Sequence, residues 1–439
     1  MQPGCEWLQP ASGAFLKWLE IEEIGPATKF RYEPASRLNL ITGDNSLGKT
    51  FLLDLVWWAL TDTWCDHEAL PRKDSPRRPP RIRYEVSAPS RSTKPVLAEY
   101  NWAKQTWETK QKRDSTAGIV IYSRFNGSFG VWDPARAELA KSTPSLGWND
   151  GSVVFSPSEV WDGLKAGAPR EENWVCNGML LDWIRWQTSA EEYQGRFDAF
   201  CSCLAALSPG IDEPLKPGAP QRRIKLGSRE SPTIHLPYGD VPVQLVSAGI
   251  QRVLSLAYIL VWSWHEHLAL SAELQLSPQR RLVLLIDEVE AHLHPRWQRV
   301  IVPAVIKVVE ELTEELSPQI HLATHSPLVM ASTEPCFSES SDKLHHLRLS
   351  NGEVILEELP YAKMGRADQW LISDAFGLDQ ARSVPASNAI RNARDLQLQS
   401  SPNPLDVLRV HKQLIDHLTE VDEFWPMWLF FAEKNGVKL

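Results

Sequence analysis

Gly43-Asp44-Asn45-Ser46-Leu47-Gly48-Lys49-Thr50 is a complete GxxxxGK[ST] phosphate-binding loop. Its flanks are the ones such a loop needs. Leu38-Asn39-Leu40-Ile41-Thr42 reads as a buried strand, and Phe51 to Leu60 as a strongly apolar helix. Gly43 and Gly48 let the backbone curl until successive N–H groups face one anion, and the helix N-terminus adds its positive end. In such a loop Lys49 reaches the β- and γ-phosphates and Thr50 holds Mg²⁺. The expected ligand class is a nucleoside triphosphate. A glycine-containing turn alone would not require this strand–loop–helix frame.

Three further segments say which kind of nucleotide site this is. Arg281 to Ile286 is an apolar run without alternation, ending in Asp287 and Glu288. Such a run is buried on both faces, as in a parallel sheet. Acids at its C-terminal end project into the crevice where open α/β sheets bind ligands. Asp287 is the expected Mg²⁺ partner and Glu288 the expected general base. Gln319 to Pro327 reads as another short buried strand ending in Thr324-His325-Ser326-Pro327. A histidine there can touch the γ-phosphate or the attacking water, since it donates, accepts and changes charge near neutral pH. Val246-Ser247-Ala248-Gly249-Ile250-Gln251-Arg252 precedes an apolar helix, Val253 to Trp264. Its serine hydroxyl, glycine backbone and helix start make a second anion site. An ordinary serine cap is the plainer alternative.

The order of these motifs resembles the ABC-type ATPase heads found outside transporters, the SMC, RecF and OLD-like proteins. Asp287-Glu288-Val289-Glu290-Ala291-His292-Leu293-His294-Pro295 is similar to their acidic strand end and following loop. Within that group the chain resembles the AAA-family ATPases of bacterial anti-phage defence operons. Val120 to Gly127, Val131 to Arg136 and Trp370 to Leu378 also look like segments of such proteins. The likeness departs from transporters at Ala248, where they have glycine, and at Ile250, where they have glutamine.

The resemblance implies an α/β fold, an ABC-ATPase head with a mixed sheet around the phosphate loop, an inserted β and helical lobe, and a helical C-terminal tail. It implies ATP and Mg²⁺ as cofactors. Gly43 to Thr50 would hold the nucleotide, with Thr50 and Asp287 on the metal and Glu288 and His325 catalytic. Two chains would sandwich two ATPs head to tail, as a homodimer or a higher homo-oligomer. Ser247, Ala248, Gly249 and Arg252 of one chain would then face the nucleotide of the other. The expected role is a nucleotide-gated regulator of a separate effector such as a nuclease, with DNA a further candidate partner. The alternatives are a RecF- or SMC-like repair ATPase and a self-contained OLD-like nuclease. The last is disfavoured because no second acidic strand-end cluster follows His325.

Composition sets the remaining bounds. At 439 residues, 43% hydrophobic, the chain can bury two or three structural units. A formal charge of −9 argues against indiscriminate nucleic-acid coating, though not against a local basic groove. Arg72, Lys73, Arg77, Arg78, Arg81 and Arg83 form one basic run, and Arg222, Arg223 and Lys225 another, both read as solvated loops. The six cysteines, at 5, 65, 176, 201, 203 and 336, fit neither a disulfide frame nor a zinc knuckle. Met1 to Glu20 lacks an apolar signal region, and the longest apolar stretch is too short to span a bilayer, so a cytoplasmic protein without membrane coupling is expected.

Along the chain, the expected divisions are 1–64 and 241–360 as the two parts of the ATPase core, 65–240 as the inserted lobe, and 361–439 as the tail. Arg81 to Val86, Leu97 to Trp102, Gly118 to Tyr122 and Gly130 to Trp132 read as strands of that lobe, with Asn126-Gly127 a hairpin turn. Asn173 to Leu207 reads as helical, with Trp183, Trp186 and Phe197 on one face. Trp297 to Glu315 reads as one amphipathic helix, and Leu344 to Leu359 as a hairpin turning at Asn351-Gly352. Phe424 to Phe431 is a dense apolar cluster, read as a core plug or a docking site.

Overall fold

The computed structural model describes residues 15–72, 79–87, 93–111, 117–142, 151–165, 174–189, 191–193, 195–210, 214–222, 230–312 and 316–437. Lys73, Arg77 and Arg78 of the first basic run, Arg223 and Lys225 of the second, and Cys5 lie outside them.

The chain opens with β1 (Phe15–Ile24), β2 (Ala27–Tyr32), the phosphate-loop strand β3 (Leu38–Gly43) and helix α1 (Lys49–Thr61). β4 (Arg81–Ser87), β5 (Val96–Asn101), β6 (Thr106–Thr109), β7 (Ile119–Ser123) and β8 (Phe129–Trp132) follow, then α2 (Pro134–Ser142), β9 (Ser152–Phe155) and α3 (Pro157–Asp162). Short ladders and helices come next: β10 (Leu164–Lys165), β11 (Trp174–Cys176), α4 (Met179–Thr188), α5 (Arg196–Ala206), β12 (Lys216–Pro217), β13 (Gln221–Arg222), β14 (Glu230–Ser231), β15 (Thr233–Leu236) and β16 (Gly239–Pro242). The long helix α6 (Ala248–Glu273) leads to β17 (Arg281–Asp287), α7 (Pro295–Gln298), α8 (Ile301–Leu312), β18 (Ser317–Ala323), α9 (Pro327–Thr333), β19 (Asp342–Ser350) and β20 (Glu353–Leu359).

Two sheets carry the first compact unit, residues 1–365. The larger runs β20-β19-β3-β18-β17-β7-β8-β9. Its middle is parallel, β19, β3, β18, β17 and β7, and both flanks are antiparallel, so the sheet is mixed. All five residues of β7 are buried, and so are six of the seven in β17. That is why their sequences run apolar without alternation. The smaller sheet, β2-β1-β4-β5-β6, is wholly antiparallel. Helix α1 belongs to one core cluster with both sheets. Leu53, Trp57 and Trp58 join Leu19, Tyr84 and Trp107 of the antiparallel sheet and Ile41, Val120 and Leu285 of the mixed one. A helix apolar on every side needs such an enclosed place.

The expected 65–240 lobe is not a separate body. Backbone pairing needs, rather than sequence continuity, distribute its strands. β4 to β6 complete the sheet begun by β1, and β7 to β9 extend the nucleotide sheet beyond β17. The Asn126-Gly127 turn does join β7 to β8, with Gly127 at φ 84°. The stretch from Asn173 divides into β11, α4 and α5, and Phe200 rather than Phe197 meets Trp183 and Trp186. The helix expected over Trp297 to Glu315 breaks at Arg299 and Val300 into α7 and α8. The Asn351-Gly352 hairpin forms with both residues at positive φ, 52° and 82°, as a two-residue turn prefers.

The second unit, residues 366–439, contains α10 (Ala367–Leu371), α11 (Val384–Gln397), α12 (Pro404–His417) and α13 (Trp425–Lys434). Its core holds Ile390, Val407, Leu414, Phe424, Trp428 and Ala432. The apolar cluster near Phe424 is therefore divided. Phe424 and Trp428 fill the core, four apart on the inner face, whereas Met427, Leu429 and Phe430 are exposed. No helix among the described residues is long and apolar enough to cross a membrane.

Candidate functional site

The phosphate loop leaves β3 through three left-handed residues, Gly43 at φ 141°, Ser46 at 66° and Gly48 at 96°. A β-carbon on Gly43 would stand 2.5 Å from the Leu347 carbonyl oxygen, so strand β19 also excludes a side chain there. Lys49 Nζ spans the loop, donating to the carbonyls of Gly43 at 2.7 Å and Asp44 at 3.1 Å. Burial pulls the Lys49 ammonium below its ordinary range, and the acids Glu288, Asp287, Glu290 and Asp44 oppose that pull.

The end of β17 meets the start of α1. Thr50 Oγ1 donates to Asp287 Oδ2 at 2.6 Å. The other oxygen, Asp287 Oδ1, is buried without a hydrogen-bond partner. A buried carboxylate oxygen left open beside a hydroxyl is a donor set that suits a hard cation such as Mg²⁺. Burial raises Asp287 to about 6, with Glu288 adding to the rise and the Thr50 hydrogen bond, Lys49 and Arg124 resisting it. Asp54, one turn along α1 from Thr50, is likewise raised to about 6, chiefly by burial.

Glu288 takes φ 51°, and its N–H donates to the Ala323 carbonyl at 3.1 Å. This left-handed step ends β17. The chain then turns back, so that Glu290 reaches the end of β18. Glu290 Oε1 accepts from Thr324 Oγ1 at 2.8 Å and from the His325 N–H at 2.7 Å. His325 Nδ1 lies 3.2 Å from Glu290 Oε1 and 3.7 Å from Glu288 Oε1. Three segments far apart in sequence thus converge: the phosphate loop, the Asp287-Glu288 strand end and the His325 turn.

The Ser247 segment has a mixed character. Ser247 Oγ caps α6, accepting from the Ile250 N–H at 3.4 Å, as the plainer alternative holds. Ser247 and Ala248 are nonetheless exposed. Gly249 is buried, and a β-carbon on it would meet the His292 carbonyl at 2.6 Å, so glycine there lets α6 pack on the loop after β17. Arg252, expected to face the nucleotide of a second chain, is engaged within its own. Its guanidinium turns inward and donates to the carbonyls of Phe125, Arg124, Asp287 and Glu288 of its own chain. These four acceptors make it a brace between α6, the β7–β8 turn and the β17 end.

Three residues near the site carried no role in the sequence reading. Glu290 had a signal, the third acid of Asp287-Glu288-Val289-Glu290. Asp54 had the helical spacing from Thr50. Arg124, just beyond β7, had none, because nothing in the sequence places β7 beside β17. It pairs with Asp66 at 3.0 Å and approaches Asp54 at 3.9 Å.

The mixed sheet and the converging motifs resemble those of ABC-type ATPase heads. Comparisons with known proteins give the nearer likeness. Residues 237–331 match the family model described as "AAA domain, putative AbiEii toxin, Type IV TA system", a span that holds Ser247, Asp287, Glu288 and His325 but not the phosphate loop. The chain is 20% identical over 392 residues to Septu protein PtuA of Bacillus thuringiensis, covering 85% of this chain and 87% of that protein. It is 30% identical over 98 residues to the "Retron Ec83 probable ATPase" of Escherichia coli, 22% of this chain and 15% of that protein. Among solved structures it is similar to the SMC head domain from Thermotoga maritima, at 16% identity and a TM-score of 0.38, covering 79% of this chain and all of that one. It is also similar to the recombination mediator RecF, at 14% identity and a TM-score of 0.38, covering 80% of this chain and 100% of that one. The chain resembles the ABC-type ATPases of anti-phage defence.

Proposed function

We propose that this protein hydrolyses ATP with Mg²⁺ and uses the nucleotide cycle to control a separate effector, a nuclease, in bacterial anti-phage defence. The observation that carries the ATPase reading is the Thr50–Asp287 contact, with Asp287 Oδ1 open and Lys49, Glu288 and His325 around it. The loop N–H groups and Lys49 bind the phosphates. Thr50 and Asp287 would hold Mg²⁺, which would supply charge neutralisation to the phosphates. Glu288 takes the proton from the attacking water, and His325 holds the γ-phosphate end. Ser247 and Ala248, exposed at the start of α6, complete the site of a second copy head to tail. ATP then joins two chains and its hydrolysis releases them, so nucleotide state becomes conformation. The role in defence is supported by the likeness to Septu PtuA along most of both chains.

The test uses the full chain purified with its operon neighbours, as wild type and as Glu288→Gln. The amide keeps the shape of the acid and removes the base. ATP binding should persist, turnover should fall by about a hundredfold or more, and the ATP-held assembly should retain the effector protein. Turnover at the wild-type rate would remove Glu288 from its role. Turnover stimulated by DNA, with no protein retained, would favour the repair reading instead.

A further inference from the structure

The histidine turn raises a question of division of labour. Two carboxylates face His325 Nδ1, but only Glu290, at 3.2 Å, is within hydrogen-bond reach; Glu288 stands at 3.7 Å. Glu290 is also the more deeply placed, its side chain 5% exposed against 33% for Glu288. A buried carboxylate is costly unless donors satisfy it. Here the donors all come from one short segment. Thr324 Oγ1 and the His325 N–H donate to Glu290 Oε1, His325 Nδ1 lies 3.2 Å from the same oxygen while Oε2 is buried without a hydrogen-bond partner, and Thr324 Oγ1 in turn accepts from the Ser326 N–H at 3.0 Å.

The segment is tied on its other side as well. The Thr324 N–H donates to the Ile41 carbonyl of the phosphate-loop strand at 3.0 Å. Ser326 Oγ donates to Gln298 Oε1 at 2.7 Å, and Gln298 Nε2 donates to the Leu293 carbonyl at 2.9 Å. The turn is thus strung between β3 and the loop that follows β17, with Glu290 at its centre.

We propose that Glu290 is a positioning residue for hydrolysis, holding His325 with Nδ1 protonated so that Nε2 faces the γ-phosphate. The warrant is the donor and acceptor inventory. A carboxylate oxygen only accepts, so the ring nitrogen facing it carries a hydrogen. Fixing that nitrogen fixes the ring orientation and leaves Nε2 as the outward atom. Glu288 is thereby relieved of anchoring the histidine and keeps its oxygens for water. The inference rests on the ATPase reading of the site and adds a residue to it.

The test is a double-mutant cycle on the full chain, Glu290→Gln, His325→Ala and both together, read as kcat and KM for ATP with Mg²⁺. Glu290→Gln should lower kcat about tenfold, the usual loss when the residue orienting a functional histidine is removed, with KM nearly unchanged. In the His325→Ala background the same change should add little, because Glu290 acts through the ring. Multiplying effects, or an unchanged kcat in Glu290→Gln, would overturn the proposal. A second measurement needs no folded Glu290 variant. Nitrogen-15 spectra of labelled histidine, with the His325 signal assigned by its loss in His325→Ala, should show Nδ1 protonated in the wild type. A ring protonated at Nε2 alone would overturn the proposal. Wild-type protein without turnover would instead fail the ATPase reading.

Discussion

Replacing Asp287 by asparagine should stabilise the protein while making it blind to Mg²⁺ and ATP. Asp287 is fully buried, and burial lifts its carboxyl from 3.8 to about 6. The sign follows from linkage. A raised acid binds its proton more tightly in the fold than in the unfolded chain, so the ionised form works against folding. That penalty is absent below about pH 3.8, grows as pH rises, and is complete above about 6. Two pKa units correspond to roughly 3 kcal/mol. Asparagine removes the charge and keeps an oxygen for the Thr50 hydroxyl, but it leaves a buried amide to satisfy. Deducting about 1–2 kcal/mol for that group leaves a net gain of about 1–2 kcal/mol near neutral pH. Asp54, raised to about 6 in part by Asp287, should relax downward and add to the gain. Thermal unfolding should therefore move up by a few degrees near pH 7.5, and the difference should close near pH 5, where the remaining penalty of roughly 1.6 kcal/mol is matched by the cost of the buried amide. Mg²⁺ and ATP at a hundred times the dissociation constant should stabilise the wild type by about 2.7 kcal/mol and the variant far less. A variant less stable than wild type near pH 7.5, or one with an undiminished response to Mg²⁺ and ATP, would refute the reasoning.

Lys49→Ala should abolish ATP binding or nearly so, because it removes the charge-assisted contacts to the phosphates. Titration calorimetry with an ATP analogue and Mg²⁺ would show it, and wild-type affinity would remove the phosphate-loop assignment. Ser247→Arg should leave nucleotide binding by one chain intact but block ATP-driven association, since exposed Ser247 is proposed to face the partner's nucleotide. Mixing Ser247→Arg with Lys49→Ala chains should restore part of the association seen by light scattering. One composite site of the mixed pair has both halves wild type. No restoration would argue against the head-to-tail sandwich.

The nucleotide-sheet strands were legible in the sequence because each lies buried on both faces, so each runs apolar and ends in a polar, chemistry-bearing turn. Leu38 to Thr42, Leu282 to Ile286 and Ile320 to Ala323 all share that form. Hairpin turns were legible from their Asn-Gly pairs: Asn351-Gly352 supplies positive φ at both residues of a two-residue loop, and Gly127 supplies it in the longer loop between Ser123 and Phe129. Strand partnership was not. β1 and β4 are joined by five paired positions beyond Leu16 and Phe15, yet nearly sixty residues and the whole phosphate loop lie between them. Alternating burial says that a strand has one covered face, not which sheet covers it. An insertion in sequence therefore looked like an insertion in space.

The same limit explains the two site residues whose character changed. A serine, a glycine and an arginine before a helix describe an anion site equally well whether they face a ligand or a neighbouring loop. The difference is made by where β17 ends. With its carbonyls at Asp287 and Glu288 directed at α6, Arg252 is drawn inward to satisfy them, and Gly249 must be small to admit His292. Glu290 shows the converse. Its acid was visible beside Glu288, but its work depends on β18 ending beside β17, a pairing in which Asp287 stands opposite Ala323. Parallel strands in that register bring their C-terminal turns to one edge. The acid three residues beyond Asp287 can then meet the histidine two residues beyond Ala323. The sequence names the chemical groups, and the strand register decides which of them act on one another.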